Sequence, residues 1–278
     1  MIRGVTTALY GWMERFARDG VEWDWDSLYG ACAESGVDAV ETDPQPHKLA
    51  VARRLGLRVS SSYVGLPLHL PWEELAADER IWPIARRLAD AGGTDLVMNA
   101  DQADWEHPVP KTADDARRQG ENLTRIADVA AELGLRVSLH NHAHTREAAQ
   151  VDLDSVLEHA DATVGLCVDT GWAWYAGHDP LAWVRDHPGR VYAFHFRNLR
   201  DGRPTEELAD GELDVGAIVR EAIAAGYDGW LGLELWHPEP LQPVRSMVED
   251  VRRSAALLRT AAEPTSGDSA RLSRSSGE

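Results

Sequence analysis

The sequence predicts an α/β protein that folds as a single (β/α)8 barrel. Eight short apolar runs alternate along the chain with eight longer amphipathic segments. Several of the amphipathic segments stop at a glycine just before the next apolar run, as a left-handed helix C-terminus requires. Eight such units within 278 residues are typical of a parallel barrel surrounded by helices.

The apolar runs have the length and composition of buried strands. In chain order the predicted strands are Ile2–Ala8, Val37–Thr42, Leu57–Tyr63, Asp95–Ala100, Leu135–His140, Thr163–Asp169, Val191–Phe196 and Trp230–Leu235. The main alternative is a doubly wound open sheet, which usually carries a glycine-rich phosphate loop after its first strand. The segment after Ala8 has no such loop, so the barrel is favoured.

The amphipathic segments predict one helix after each strand. They are Trp25–Ser35, His47–Leu55, Trp72–Ala91, Ala113–Leu133, Leu153–His159, Leu181–Asp186, Val215–Ala225 and Pro243–Ala262. The glycines expected to end helices are Gly36, Gly56, Gly93, Gly134 and Gly226. We expect residues 1–263 to form the barrel as one domain. Residues 264–278 are rich in Ser, Gly and Arg with little to bury, and we expect them to be disordered.

Composition and charge narrow the class of protein. Hydrophobic residues make up 44% of the chain and charged residues 27%, which is typical of a soluble globular protein. No apolar run is long enough for a membrane span, and the first residues lack the apolar core of a secretory signal. Only two cysteines are present, Cys32 and Cys167, which favours a reducing cytoplasm. A net charge of −18 disfavours nucleic acids and anionic membranes as partners, and leaves a homo-oligomer open.

Four consecutive strands share a pattern of faces. Side chains two residues apart lie on the same face of a strand. In Thr163–Asp169, one face reads Val-Leu-Val and the other reads Thr-Gly-Cys-Asp. In each of the four strands the small or mixed face ends in an ionisable residue; these residues are His140, Asp169, His195 and Glu234. Since the carboxyl ends of barrel strands meet at one mouth, we expect the four side chains to converge there.

Two imidazoles and two carboxylates are a suitable ligand set for one divalent metal ion. We expect Mn²⁺ first, with Zn²⁺, Co²⁺, Fe²⁺ or Mg²⁺ as alternatives. The stretch VSLHNHAHT adds two further histidines beside His140. His142 shares a face with His140, so we expect it to act as an acid/base or substrate contact, with a ligand role second. His144 lies past the strand, and we expect it at the rim of the site.

The motifs around these residues resemble those of the xylose isomerase-like TIM barrel superfamily of sugar isomerases, epimerases and related dehydratases. They are LHNH at 139–142, DTGW at 169–172, AGHDP at 176–180, HFRN at 195–198, DGELD at 210–214 and LELW at 233–236. The resemblance runs from the second strand to the eighth. It implies a TIM barrel and a metal-dependent enzyme that acts on a small polyhydroxylated carbonyl compound.

The chain departs from the family motifs at three places. The glutamate that family members typically carry on strand five is His140 here. The histidine of the family's D-T-G-H motif is Trp172, and the H-x-K-D motif is altered at Arg197 and Asn198. Dehydratases of the superfamily that act on keto-inositols have a histidine-rich strand-five motif, which is similar to residues 140–142.

The resemblance implies abstraction of an α-proton through an enediolate stabilised by the metal. Glu234 is the first candidate for the base, and His142 is an acid/base or substrate contact. Two alternatives are open for Glu41, at the end of the second strand. It faces the lumen, where it contacts substrate or returns a proton, or it belongs to a surface turn. Arg197 either meets a polar part of the substrate or is an exposed loop residue. Trp172 and Trp236 follow strands and are candidates for stacking on a sugar ring.

Three functions stay open at this point. The first is a metal-dependent isomerase or epimerase of a keto or aldo sugar, an inositol derivative or a small hydroxy-carbonyl compound. The second is a dehydratase or other lyase that eliminates a β-leaving group after the same proton abstraction; the histidine at position 140 favours it. The third is a barrel that has lost catalysis. An abasic-site endonuclease, related in fold, is disfavoured because the chain is strongly acidic.

Overall fold

A computed structural model describes residues 2–104, 106–107, 109–142, 145–235 and 243–264 of the chain. Its strands, in chain order, are β1 Gly4–Ala8, β2 Ala39–Glu41, β3 Arg58–Leu66, β4 Asp95–Ala100, β5 Arg136–His140, β6 Val164–Asp169, β7 Val191–His195, β8 Leu199–Arg200, β9 Arg203–Pro204 and β10 Trp230–Leu233. Strands β8 and β9 form a separate antiparallel hairpin. The other eight form one parallel sheet in the order β10-β1-β2-β3-β4-β5-β6-β7.

The sheet closes into a barrel between its two edge strands. The backbone N–H of Phe196 donates to the carbonyl of Gly232 at 2.7 Å, and the N–H of Glu234 donates to the carbonyl of Phe196 at 3.1 Å. These bonds join the ends of β7 and β10. The predicted single-domain (β/α)8 barrel is therefore confirmed, and each of its eight strands overlaps a predicted strand.

The helices lie outside the barrel. They are α1 Tyr10–Arg18, α2 Trp25–Glu34, α3 Pro46–Arg54, α4 Ala77–Arg80, α5 Trp82–Asp90, α6 Ala113–Glu132, α7 Arg146–Leu157, α8 Thr170–Tyr175, α9 Pro180–Asp186, α10 Val215–Ala224 and α11 Met247–Ala262. Capping side chains fix several of their starts. The Thr112 hydroxyl accepts from the N–H of Asp115, whose carboxylate accepts from the N–H of Thr112, so a capping box begins α6.

The sequence-based helix boundaries were wrong at several places. Helix α1 and helix α8 had not been predicted. The predicted helix Trp72–Ala91 is divided, because Ala76 adopts a left-handed conformation at φ 49° and stops the first turn. Helix α7 starts seven residues earlier than predicted (146 against 153), where the Thr145 hydroxyl caps it. The left-handed glycine before β4 is Gly92, with φ 81°, and not Gly93.

The two faces of the strands pack as their alternation predicts. The apolar outer faces join the helices in one large core. Inside the barrel, Val97, Cys167 and Ala193 form a small separate cluster below the mouth. Towards the mouth the inward positions of these strands are polar, at Asn99, Asp169 and His195. Among the described residues, no helix is both long and apolar enough to cross a membrane. The predicted disordered tail lies outside the described residues, apart from Pro264.

Candidate metal centre

Four side chains converge at the mouth of the barrel, at the carboxyl ends of four neighbouring strands. His140 ends β5, Asp169 ends β6, His195 ends β7 and Glu234 directly follows β10. One potential ligand atom from each lies within 4.8 Å of the other three. The predicted convergence is therefore present, and all four side chains are removed from bulk solvent, with Glu234 the most exposed at 13%.

His140 directs one ring nitrogen into the cluster and the other away from it. Its Nε2 lies 3.3 Å from Oδ2 of Asp169 and 3.7 Å from Oε2 of Glu234. Its Nδ1 lies 3.3 Å from Oδ1 of Asn99, a residue of β4 that sequence reasoning missed. The ring is 2% exposed, so protein atoms determine its orientation.

His195 is arranged in the opposite sense. Its Nδ1 faces the cluster, 2.7 Å from Oε2 of Glu234, and its Nε2 lies 3.2 Å from Oε1 of Glu41. Ser61 donates its hydroxyl to Oε2 of Glu41 at 2.8 Å. Burial alone lowers the pKa of His195, but the carboxylates of Glu41 and Glu234 outweigh burial and raise that pKa well above its ordinary value.

Asp169 is fixed at both its backbone and its side chain. The side-chain oxygen of Asn141 accepts from the N–H of Asp169 at 2.7 Å, and the Asn141 amide donates to the carbonyl of Asp169. Oδ1 of Asp169 accepts from the N–H of Trp172 at 2.7 Å, which caps α8. The remaining oxygen, Oδ2, faces the cluster.

The donor set fits a divalent cation. Metal–ligand bonds of about 2.0–2.2 Å place neighbouring ligand atoms roughly 3–3.5 Å apart, similar to the separations measured here. Nδ1 of His195 and Oε2 of Glu234 are buried and lack hydrogen bonds among the described residues, although they lie only 2.7 Å apart. Burying several carboxylates in one place is costly, and a divalent cation held between these oxygens and imidazole nitrogens would offset that cost.

Arg197 contacts the same two carboxylates. Its Nε lies 2.8 Å from Oδ2 of Asp169, and its Nη2 lies 2.8 Å from Oε2 of Glu234. Burial lowers the pKa of Arg197, but the two carboxylates outweigh burial and raise it. Burial raises the pKa of Glu234, but Arg197 and His195 bring it well below its ordinary value. A Cβ at Gly171 would lie 2.2 Å from Cγ of Arg197, so the glycine makes room for this buried arginine.

Several predicted residues line one cavity of about 570 Å³ that opens above the cluster; they are Glu41, His140, His142, Trp172, Arg197 and Glu234. Glu41 and Arg197 are buried, at 6% exposure each. The two alternatives that placed them at the surface were therefore wrong. Trp236 and His144 lie outside the described residues. His178 donates a ring N–H to the carbonyl of Arg146, which supports a structural role for it.

His142 is half-buried between two other rings. Its ring centroid lies 4.4 Å from that of Trp172, in an edge-to-face arrangement, and 5.9 Å from that of His140. Burial, together with the nearby His140 and Arg197, lowers the pKa of His142 to about 3. The imidazole is therefore neutral at physiological pH, with one nitrogen that donates and one that accepts.

The far wall of the cavity was missed by sequence reasoning. Leu9, Tyr10 and Met13 at the start of α1 line it, together with Trp25 and Lys48. The Lys48 ammonium lies 4.2 Å from the centroid of the Trp25 ring. These residues add apolar surface to the cavity beside the charged cluster. The ring of Tyr63, stacked on His195 at 6.4 Å, was also missed.

Comparison with known proteins shows which family and fold the chain is similar to. A model of the xylose isomerase-like TIM barrel family matches residues 29–261. An inosose dehydratase of Lacticaseibacillus casei is 29% identical over 142 residues, which cover 44% of this chain and 48% of that protein. The chain thus spans about half the length of that relative. An inosose dehydratase of Geobacillus kaustophilus is 25% identical over 252 residues, covering 77% of this chain and 81% of that one.

A solved structure is similar over nearly the whole chain. It is a sugar phosphate isomerase/epimerase from Parabacteroides distasonis, with a TM-score of 0.67 and 19% sequence identity. The match covers 94% of each chain. A likeness at this level of identity shows a shared fold.

Proposed function

The chain belongs to the xylose isomerase-like TIM barrel family, and on that premise we propose that it is a divalent-metal-dependent isomerase or epimerase. The substrate class is a polyhydroxylated carbonyl compound: a keto or aldo sugar, an inositol derivative or a small hydroxy-carbonyl compound. The observation that carries the proposal is the convergence of His140, Asp169, His195 and Glu234 within 4.8 Å at the mouth of the barrel. A divalent cation held there supplies Lewis acidity that polarises the substrate carbonyl.

Glu234 is the residue we assign as base. Its carboxylate lines the cavity, and Arg197 and His195 keep its pKa low, so it is ionised throughout the physiological range. An ionised carboxylate at the edge of a confined cavity can remove the proton next to a carbonyl. The proton then resides on Glu234 until it returns to carbon or passes to an oxygen of the substrate.

His142 and Trp172 form the wall where the substrate's hydroxyl groups would lie. The neutral His142 can donate to one substrate oxygen and accept from another, which suits transfer of a proton between neighbouring oxygens. Trp172 offers an apolar edge beside it. We assign Arg197 to an electron-rich part of the substrate as well as to its two carboxylates. Trp236 stays a sequence-based candidate for stacking.

Glu41 has a double assignment in the proposal. It accepts from Ser61 and lies within hydrogen-bond distance of His195, so it holds that ring in place. A carboxylate has four acceptor directions, and those left over can meet a substrate hydroxyl or return a proton to it.

The proposal is tested by metal analysis and by proton exchange. Protein purified without chelator is expected to carry, or to take up on reconstitution, one equivalent of Mn²⁺ or another divalent transition metal. Incubated with Mn²⁺ and D-fructose, D-tagatose or an inosose in D₂O, it should place deuterium on the carbon next to the carbonyl. Glu234→Gln should lose this exchange by about 10²-fold or more. The exposed Glu121→Gln on α6 is the matched control and should keep it.

Absence of stoichiometric metal, with no gain on reconstitution, would overturn the proposal. Exchange that persists undiminished in Glu234→Gln would overturn the assignment of the base. Both outcomes are read from the same preparations, and thermal unfolding of each variant shows whether it is folded.

A dehydratase is the second candidate, favoured by two observations. An inosose dehydratase is similar over 77% of this chain, and the chain has a histidine at position 140 in the histidine-rich strand-five motif. Elimination begins with the same proton abstraction, after which the hydroxyl on the next carbon leaves as water with the proton that Glu234 has removed. An unsaturated, ultraviolet-absorbing ketone formed from an inosose would select this candidate. Product of unchanged mass would select the isomerase.

A further inference from the structure

Asn99 and Asp101 form a chain of hydrogen bonds behind His140, at the carboxyl end of β4. We call this chain of hydrogen bonds the relay. Asn99 is directly opposite His140 in the register of β4 and β5. The two residues contact each other through Oδ1 of Asn99 and Nδ1 of His140, 3.3 Å apart. The amide nitrogen of Asn99 donates to Oδ1 of Asp101 at 2.6 Å. Asn99 is 4% exposed, so these two contacts account for both ends of its amide.

The direction of each hydrogen bond follows from donor and acceptor chemistry. A carboxylate only accepts, so the atom of Asn99 that faces Asp101 is the NH₂ group. A flipped amide would place two acceptor oxygens 2.6 Å apart, which is strongly unfavourable. The atom that faces His140 is therefore the carbonyl oxygen, which also only accepts. It follows that Nδ1 of His140 carries the proton and donates it to Asn99.

This protonation leaves Nε2 as the nitrogen with a lone pair. Nε2 is the atom that faces Oδ2 of Asp169 and Oε2 of Glu234. A ring nitrogen must be unprotonated to bind a metal ion, and the partner of the other nitrogen decides which one that is. The relay thus directs the ligand-competent nitrogen of His140 into the candidate metal centre.

We propose that Asn99, oriented by Asp101, is a positioning residue that fixes His140 in the Nδ1–H form, with Nε2 presented as a metal ligand. The inference rests on the proposed function, because it assumes that the four converging residues hold a cation. It adds two residues that do not themselves contact the metal, and it gives each a specific role in the hydrogen-bond chain.

The two histidines of the centre are supported by different chemistry. Behind His195 stands the carboxylate of Glu41, whereas a neutral amide stands behind His140. An amide accepts the Nδ1 proton without adding negative charge to a mouth that already holds the carboxylates of Glu41, Asp169 and Glu234. The formal charge of Asp101 is kept one residue further from the ring.

The test combines metal affinity with the position of the ring proton. Asn99→Leu keeps the approximate volume and removes the acceptor. By titration calorimetry its Zn²⁺ affinity should fall about 10- to 100-fold relative to wild type. In histidine-¹⁵N-labelled wild type, long-range ¹H–¹⁵N spectra should show a proton on Nδ1 of His140 with and without Zn²⁺. His140→Gln assigns the resonance. In Asn99→Leu without metal, the proton should be distributed over both nitrogens.

A double variant provides the rescue. In Asn99→Asp/Asp101→Asn, a carboxylate at position 99 accepts from Nδ1 and from the new amide at position 101, so the chain of hydrogen bonds is kept with the charge moved by one residue. Its Zn²⁺ affinity should return to within a few-fold of wild type. Asn122→Leu is the matched control, because it removes a buried amide that bonds to the carbonyls of Leu68 and Leu70, away from the centre.

The outcomes separate this inference from the proposed function. Wild-type Zn²⁺ affinity in Asn99→Leu, or an unprotonated Nδ1 in the wild type, overturns the positioning role. Loss of affinity of the same size in Asn122→Leu also overturns it, because the effect is then a general loss of packing. A wild type that binds no Zn²⁺ and yet carries the Nδ1 proton overturns the proposed function but supports the Asn99 contact.

Discussion

Replacing Arg197 by methionine separates the charge of the candidate centre from its shape. The guanidinium is 8% exposed and lies 2.8 Å from one oxygen each of Asp169 and Glu234. Methionine fills most of the same space but brings no charge. Metal-free Arg197→Met therefore retains two buried carboxylates that have lost their cationic partner.

The size of the effect follows from the cost of an unpaired buried charge. Removing one partner of a buried ion pair costs roughly 3–5 kcal/mol. For a domain of this size, about 2–4 °C of Tm is lost per kcal/mol, so the Tm of the metal-free variant should fall by roughly 6–20 °C. A divalent cation replaces the lost charge at the same oxygens. At about 100 times its Kd it should recover about 2.7 kcal/mol, or roughly 5–10 °C.

The assay is thermal unfolding in EDTA and in Mn²⁺, with Arg136→Met as the matched control. Arg136 donates to the buried Asp95 at 2.8 Å, at the opposite end of the barrel from the mouth. Its loss should lower the Tm in EDTA, and Mn²⁺ should raise the Tm of this variant by no more than it raises that of wild type. In Arg197→Met the rise should be larger than in wild type. The reasoning would be refuted if the Tm of Arg197→Met in EDTA equalled that of wild type. It would also be refuted if Mn²⁺ raised the Tm of Arg197→Met by no more than that of Arg136→Met.

Three further predictions test the ligands and the barrel. His140→Glu gives a harder ligand set, so the ratio of Mn²⁺ to Zn²⁺ affinity in competition titrations should rise; an unchanged ratio counts against a ligand role. Gly232→Ala places a Cβ 2.2 Å from the carbonyl oxygen of Phe194, so unfolding in urea should show a loss of roughly 1–3 kcal/mol, and wild-type stability would contradict the closure. Burial raises the pKa of the Cys32 and Cys167 thiols, so neither should react with a thiol reagent in the native state, whereas rapid labelling would contradict the packing.

The positions of the four converging side chains were predictable because two simple rules determine them. Alternation along a strand assigns each residue to a face, and parallel topology places all carboxyl ends at one mouth. Asp169 and His195 are even paired in the register of β6 and β7. No packing detail was needed for that prediction. The order of the motifs along the chain also predicted the family, and the match of the family model over residues 29–261 confirms that prediction.

The cavity wall formed by the start of α1 was not predictable in the same way. Helix α1 begins directly after β1, and Leu9 at its N-cap makes no side-chain hydrogen bond. The usual start signal is therefore absent from the sequence. Tyr10 follows the carboxyl end of the predicted first strand, but without α1 nothing placed Met13 near the mouth. Asn99 was missed for a different reason, since its meaning depends on His140, 41 residues later in the chain, and on no local pattern.

The charges at the mouth support the cation more directly than any single contact does. Glu41, Asp169 and Glu234 contribute three negative charges, and Arg197 balances one of them. With both histidines neutral, a divalent cation balances the other two. If the cation is absent, the remaining way to reduce the imbalance is to protonate a histidine, in line with the raised pKa of His195. Protons and metal ions therefore compete for the same ring nitrogens, so metal affinity should fall as the pH decreases through the neutral range.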